Sequence, residues 1–205
     1  MRPEAPVFPI FLKLTGRPVV LVGGGKVAAS KLDGLLRVGA RVTVVAPQIR
    51  AEIERPDVTL RRRGFEANDL DGAWFAVAAA TPAVNRRVAS AAEERRVFVN
   101  AVDDPPSASA YAGGVLRRGR LTVAISTNGE APALAGLIRE GLEELIPTEM
   151  ETWLREASDQ THLLRRSGIP MPDRRPLLLA ALNRLYLRRG VHPLNGAGEI
   201  GKTPR

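Results

Sequence analysis

Between residues 18 and 102 the apolar positions fall into short dense runs, and between the runs they recur at every third or fourth position. Pro18 to Val22 forms the first run and reads as a buried strand. Residues 26–38 carry helical spacing, with Val27, Leu32, Leu35 and Leu36 on or near one face and Gly39 as the stop. Arg41 to Ala46 predicts a second strand closed by Pro47, Val58 to Arg62 a third, and Trp74 to Ala79 a fourth. Thr81-Pro82 then has the form of an N-cap with proline at the first helical position, opening a helix to about Arg95. Val97 to Val102 is the fifth strand. Strands separated by helices of this length are joined by right-handed crossovers, so the pattern predicts an α/β fold with a doubly wound parallel sheet.

The rhythm changes at Asp103-Asp104-Pro105-Pro106, a hard break. Two β-like runs follow, about 108–116 and 120–126, with Arg117-Arg118-Gly119 between them, which is hairpin spacing. A helix over about 131–146 ends before Pro147, and another covers about 148–157. Beyond 160 the chain is interrupted by Pro170, Pro172 and Pro176 but keeps an amphipathic piece from Leu177 to Arg189, and the glycine-rich stretch from Gly190 reads as a poorly ordered tail. The expected organisation is a dinucleotide-binding domain over 1–105, a small α+β domain over 106–147 and a helical domain with a flexible tail over 148–205.

The first strand ends in Gly23-x-Gly25-x-x-Ala28 and runs directly into the first helix. The first glycine permits the tight turn. The second removes a side chain that would hold a pyrophosphate off the backbone, and the small third residue lets helix and strand pack closely. The helix N-terminus then directs free N–H groups at the phosphates. A dinucleotide fingerprint normally has an acid about 20 residues further on, for the ribose hydroxyls. Here that place is Ala46-Pro47-Gln48, and nearby Arg50 leaves NADP open beside NAD, because a guanidinium suits a 2′-phosphate. Asp103 stands where the fifth strand ends, at the carboxyl edge where open α/β sheets hold ligands. A carboxylate there can accept a proton; its other reading is a cap on the Pro105-Pro106 turn.

Composition narrows the picture. Hydrophobic residues make up 44%, enough for a substantial core, and there is no cysteine, which excludes disulfides, thiolate metal sites and cysteine nucleophiles. No run of about eighteen apolar residues indicates a membrane span, and the N-terminal residues lack the apolar core of a signal peptide, so a cytoplasmic protein is expected. The net charge of +8 favours anionic partners, but at 4% aromatics the chain lacks the stacking surface of a nucleic-acid binder. His162 and His192 are the only histidines and are too far apart for a paired metal site, so no metal site is expected.

Taken together, Phe8-Pro9-Ile10-Phe11, Val22 to Ala28 with Lys31, Val42 to Pro47, Ala78 to Thr81 with Asn85, Val99 to Asp103, and Ala124 to Gly129 with Pro132 resemble the precorrin-2 dehydrogenase part of siroheme synthases, over about 8–155. The resemblance implies a Rossmann-type NAD-binding domain, a small dimerisation domain that makes the protein a homodimer, and a helical C-terminal domain. It implies siroheme biosynthesis: oxidation of precorrin-2, a tetrapyrrole with eight carboxylates, to sirohydrochlorin with NAD⁺, and in some members insertion of Fe²⁺. It makes Asp103 the catalytic residue and Gly23, Gly25, Lys26, Val27, Pro47, Gln48 and Thr81 the cofactor contacts. Ser126, Thr127, Asn128 and Gly129 precede a helix, where they would bind a substrate carboxylate or simply cap the helix. The alternative reading is a Rossmann module that senses NAD(H) without catalysis.

Overall fold

The computed structural model describes residues 7–187. The tail from Gly190, and with it His192, lies outside the described residues. The chain divides into two compact units, one of residues 1–113 and 126–135, the other of 114–125 and 136–205.

The first unit holds a five-stranded parallel sheet of β1 (Pro18–Val22), β2 (Arg41–Val45), β3 (Val58–Arg61), β4 (Phe75–Ala78) and β5 (Phe98–Ala101), in the order β3-β2-β1-β4-β5. The reversal of strand order at β1 makes its carboxyl end a switch point, where a crevice opens between the loops. Period-two alternation sorts the core into two layers. Val19 and Leu21 of β1 join Val42, Val44 and Val77 on the face covered by α1 (Lys26–Arg37), whose Ala28, Leu32 and Leu35 are buried. Val20 and Val22 join Ala76, Ala78 and Val99 on the other face, under Val88, Ala91 and Ala92 of α2 (Pro82–Glu94). Leu32 is fully buried, and Leu32→Ala would cost about 3 kcal/mol. One residue departs from the expected stripe: Val27 is 46% exposed, and Ala28 takes the inward place beside β1.

All five strands lie within a residue or so of their expected spans; the first run after the break does not. Residues 108–113 form no strand. Instead Ser109 N–H and Ala110 N–H both donate to the Val99 carbonyl at 3.0 Å, and Val99 N–H donates to Ser109 Oγ at 2.9 Å. These irregular bonds cover the open edge of β5, which alternating apolar residues alone would not distinguish from a ladder.

In the second unit, β6 (Gly114–Arg118) and β7 (Leu121–Ile125) form an antiparallel hairpin paired from Gly114–Ile125 to Arg118–Leu121. Its turn is Gly119-Arg120, with Gly119 at φ +55°, where a side chain is strained and would also collide with Glu151. Glu151 accepts from the Arg120 N–H at 2.9 Å and so ties the turn to α4. The division between the units falls within α3 (Pro132–Leu145). Two helices run longer than expected. α4 (Met150–Arg166) continues well past 157, and α5 (Met171–Leu187) begins at Met171 rather than 177. Proline punctuation misleads here. Pro172 lies in the first turn, where an N–H has no partner anyway, and Pro176 is accommodated one turn later within the helix. Among the described residues no helix is long and apolar enough to cross a membrane.

Candidate functional site

Three loops meet the carboxyl edge of the parallel sheet. The first follows β1. Gly23 has φ +131°, and a Cβ there would collide with the Ala79 carbonyl beyond the end of β4, so only glycine lets the two loops close up. Gly24 lies equally close to the Gln48 carbonyl, and its own carbonyl accepts the Arg50 N–H at 3.0 Å. Gly25 is different: it is the N-cap of α1, carries no capping side chain, and a Cβ on it would meet nothing within 4 Å. The first turn of α1 contains no acid and starts with the exposed Lys26. A cap without a side chain, open space before it and a cation beside it are what an anion at a helix N-terminus requires. These residues fit a dinucleotide pyrophosphate. Val27 is exposed beside them, and Pro47, Gln48 and Thr81 are exposed on the neighbouring loops. Thr81 is the N-cap of α2, as its place before Pro82 predicts, but its hydroxyl makes no capping bond.

The chain after β2 and the end of β3 carry paired arginines. Arg50, left open as a 2′-phosphate ligand, donates from Nε and Nη2 to both carboxylate oxygens of Glu52 at 2.9 Å. Those hydrogen bonds hold the Glu52 carboxyl below its ordinary range and raise Arg50. Arg61 at the end of β3 and Arg63 just beyond it converge on the buried carboxylate of Asp69. Burial pushes Asp69 up, but the hydrogen bonds from Arg63, the Glu66 N–H and Arg61 prevail and hold it below the usual carboxylate range.

Asp103 follows β5 at the same edge. It is exposed, has φ +56°, and its carboxylate has no hydrogen bond or ion pair among the described residues. The capping alternative belongs to its neighbour: Asp104 is the N-cap of the 3₁₀ turn Pro105–Ser107, and does so without a side-chain bond. The backbone at Asp103 is held from behind by Asn85, which is 3% exposed. Asn85 Oδ1 accepts from the Ala80 N–H at 2.9 Å and Nδ2 donates to the Val102 carbonyl at 3.3 Å. Asn85 therefore fastens the loop after β4 to the residue before Asp103, and Ala79 in turn abuts Gly23. Sequence reading found Asn85 only as part of a motif; its position on the inward face of α2 among apolar neighbours was the available sign of a structural amide.

The third loop is 126–129. Ser126 Oγ accepts from the Asn128 N–H at 3.2 Å, and Thr127 Oγ1 accepts from the Ala131 N–H at 3.3 Å, so both hydroxyls already serve the turn into α3. Ser126 is exposed; Thr127, Asn128 and Gly129 are half-buried. Gly129 packs on the segment after Asp103, where a Cβ would stand 3.1 Å from Pro105 and 3.2 Å from Tyr111. His162 is exposed on α4, in the other unit, and no group of three or more potential metal-ligating side chains occurs among the described residues.

Comparison with known proteins gives the same outline. Residues 10–114 match the family described as "Putative NAD(P)-binding", and residues 118–145 match "Sirohaem biosynthesis protein central". A siroheme synthase of Citrobacter koseri is 41% identical over 172 residues, covering 82% of this chain and 38% of that protein. A siroheme synthase of Salmonella typhi is 40% identical with the same coverage. The chain thus spans 38% of the length of these curated relatives. A solved structure of "SirC, precorrin-2 dehydrogenase" superposes with a TM-score of 0.68 at 27% identity, covering 89% of this chain and 98% of that one.

Proposed function

The chain belongs to the NAD(P)-binding family whose model spans residues 10–114, with the sirohaem-biosynthesis central segment behind it, and from that premise we propose that it oxidises precorrin-2 to sirohydrochlorin with NAD⁺. The observation that carries this reading is the partnerless, exposed Asp103 carboxylate on the same sheet edge as the open cap at Gly25. The near-complete overlap with a precorrin-2 dehydrogenase supports it.

NAD⁺, when bound, supplies the hydride acceptor. Gly25, Lys26 and Val27 hold its pyrophosphate, Pro47 and Gln48 border its ribose, and Thr81 lines the loop beyond. The macrocycle gives up a hydride and a proton in all, and Asp103 takes the proton. The Ser126 and Thr127 hydroxyls donate to a substrate carboxylate at the 126–129 loop while their oxygens go on accepting the Asn128 and Ala131 N–H groups. Iron insertion into the product uses the same residue: Asp103 accepts pyrrole N–H protons as Fe²⁺ enters.

Incubation with precorrin-2 and NAD⁺ yields sirohydrochlorin absorbance, and addition of Fe²⁺ converts it to siroheme. Asp103→Asn retains the left-handed backbone, which asparagine tolerates, while removing the base. Turnover falls by at least about 100-fold with NAD⁺ affinity unchanged. Absence of product with either NAD⁺ or NADP⁺ would leave the module that senses NAD(H) as the better reading.

The protein acts as a cytoplasmic homodimer. Exposed Val115 on β6 and Leu137, Ile138 and Leu145 on α3 support self-association. Light scattering gives twice the chain mass for the wild type and the single mass for Leu137→Glu/Leu145→Glu.

A further inference from the structure

A cleft of about 820 Å³ opens at the amino ends of β1, β4 and β5, the edge of the sheet opposite to the glycine loop and Asp103. Phe11, Trp74 and Phe98 wall it and are 71%, 52% and 52% exposed. Three of the nine aromatic residues in an aromatic-poor chain thus stand uncovered in one place. Around them lie Lys13, Arg17, Arg95 and Arg96, against the single acid Asp71. Asp71 is taken by Arg95 at 2.8 Å. Lys13, Arg17 and Arg96 have no ion pair among the described residues, and Arg17 lies 3.7 Å over the Trp74 ring.

We propose that this cleft is a second ligand site, built for a broad, planar apolar macrocycle that carries carboxylates, too wide for a single benzene ring to replace. Aromatic walls offer stacking faces to a flat body, and a rim of three uncommitted cations offers partners to its acidic substituents. The volume lies in the range of small-molecule sites. Arg17, already stacked on Trp74, is held at the rim with its guanidinium edge free for a carboxylate. A nucleic-acid backbone would need a longer basic track than three side chains around an apolar floor. The ligand class follows from the cleft alone; its identification with the protein's own octacarboxylate substrate or product rests on the function proposed above.

The test is calorimetric titration of the full chain with uroporphyrin, an octacarboxylate macrocycle, with hydrogen exchange read in parallel. The wild type takes up two equivalents per chain, with protection at residues 11–17 and 71–74. Arg17→Ala/Arg96→Asn removes one equivalent and that protection. Asparagine suits the positive φ of 55° at Arg96, and precorrin-2 turnover at limiting substrate stays within twofold, which also reports that the variant is folded. Benzenehexacarboxylate, charged but without the broad apolar face, binds at least tenfold more weakly. Unprotected 11–17 and 71–74, full stoichiometry in the variant, or equal binding of benzenehexacarboxylate would each overturn the site. A chain that shows the protection but never oxidises precorrin-2 keeps the site and loses the dehydrogenase reading; the reverse result loses the site alone.

Discussion

The amide of Asn85 occupies both ends of a short bridge, accepting from Ala80 and donating to Val102. Removing it in Asn85→Ala strips a part-buried N–H and a part-buried carbonyl of their partners, at a cost of about 1 kcal/mol measurable by urea unfolding. The same change frees the backbone behind Asp103, so kcat falls about tenfold while the NAD⁺ dissociation constant, set at the glycine loop, stays within about twofold. At the ribose side, the bidentate grip of Glu52 on Arg50 leaves the guanidinium engaged. Glu52→Gln loosens that grip, and NADP⁺ binding tightens severalfold relative to NAD⁺ in fluorescence titrations. The sequence displayed Arg50 as a possible phosphate ligand, but a side chain's prior engagement two residues along is a matter of rotamers, which residue spacing does not encode.

Among the elements, the ion cluster after β3 has a definite pH signature. The folded-state pKa of Asp69 is depressed, so its contribution to stability is in full force above the unfolded value near 3.8 and is lost as pH falls through the lower folded value. The unfolding free energies of Asp69→Asn and wild type from urea titrations therefore converge as pH falls through that lower folded value and differ most at neutral pH, by about 2 kcal/mol for the loss of a buried, hydrogen-bonded carboxylate. Four of the parallel strands were readable because each is mainly a run of Val, Leu or Ala buried on both faces, with a helical stripe or turn on either side; β3 alternates instead, with Val58 buried and Thr59 and Arg61 exposed. The edge segment 108–110 was not, since a serine hydroxyl replaces a strand partner at Val99. The start of α5 was hidden for another reason: Pro172 and Pro176 read as breakers, whereas Pro172 sits in the first turn, where a helix tolerates it, and the helix runs on through Pro176. Of the site, the glycine turn and Asp103 were visible through their place at strand ends; the load carried by Ser126 and Thr127 within their own turn was not, because a hydroxyl before a helix has the same signature when it caps and when it binds.

For the molecule as a whole, the charge of +8 acts at long range on the octacarboxylate substrate proposed above. Raising the salt from about 50 to 500 mM shrinks the Debye length to a few ångströms. On the proposed function, kcat/KM for precorrin-2 then falls severalfold in steady-state assays while kcat stays constant, because capture is screened and the proton transfer proposed for Asp103 is not. An electrically neutral encounter would leave both unchanged.

The floor of the crevice is made from main-chain atoms: the Ala79 carbonyl against Gly23, the Gln48 carbonyl against Gly24, the Ala80 N–H and Val102 carbonyl on one amide. Every amino acid brings the carbonyls and all but proline the N–H, so evolution can rewrite most of the surrounding alphabet and leave the cradle standing. Tolerance to substitution should accordingly be broad along these loops and collapse at a few letters, Gly23, Gly24 and Asn85 foremost, a contrast that a saturation library selected for folded protein would display as three narrow valleys in an otherwise level plain.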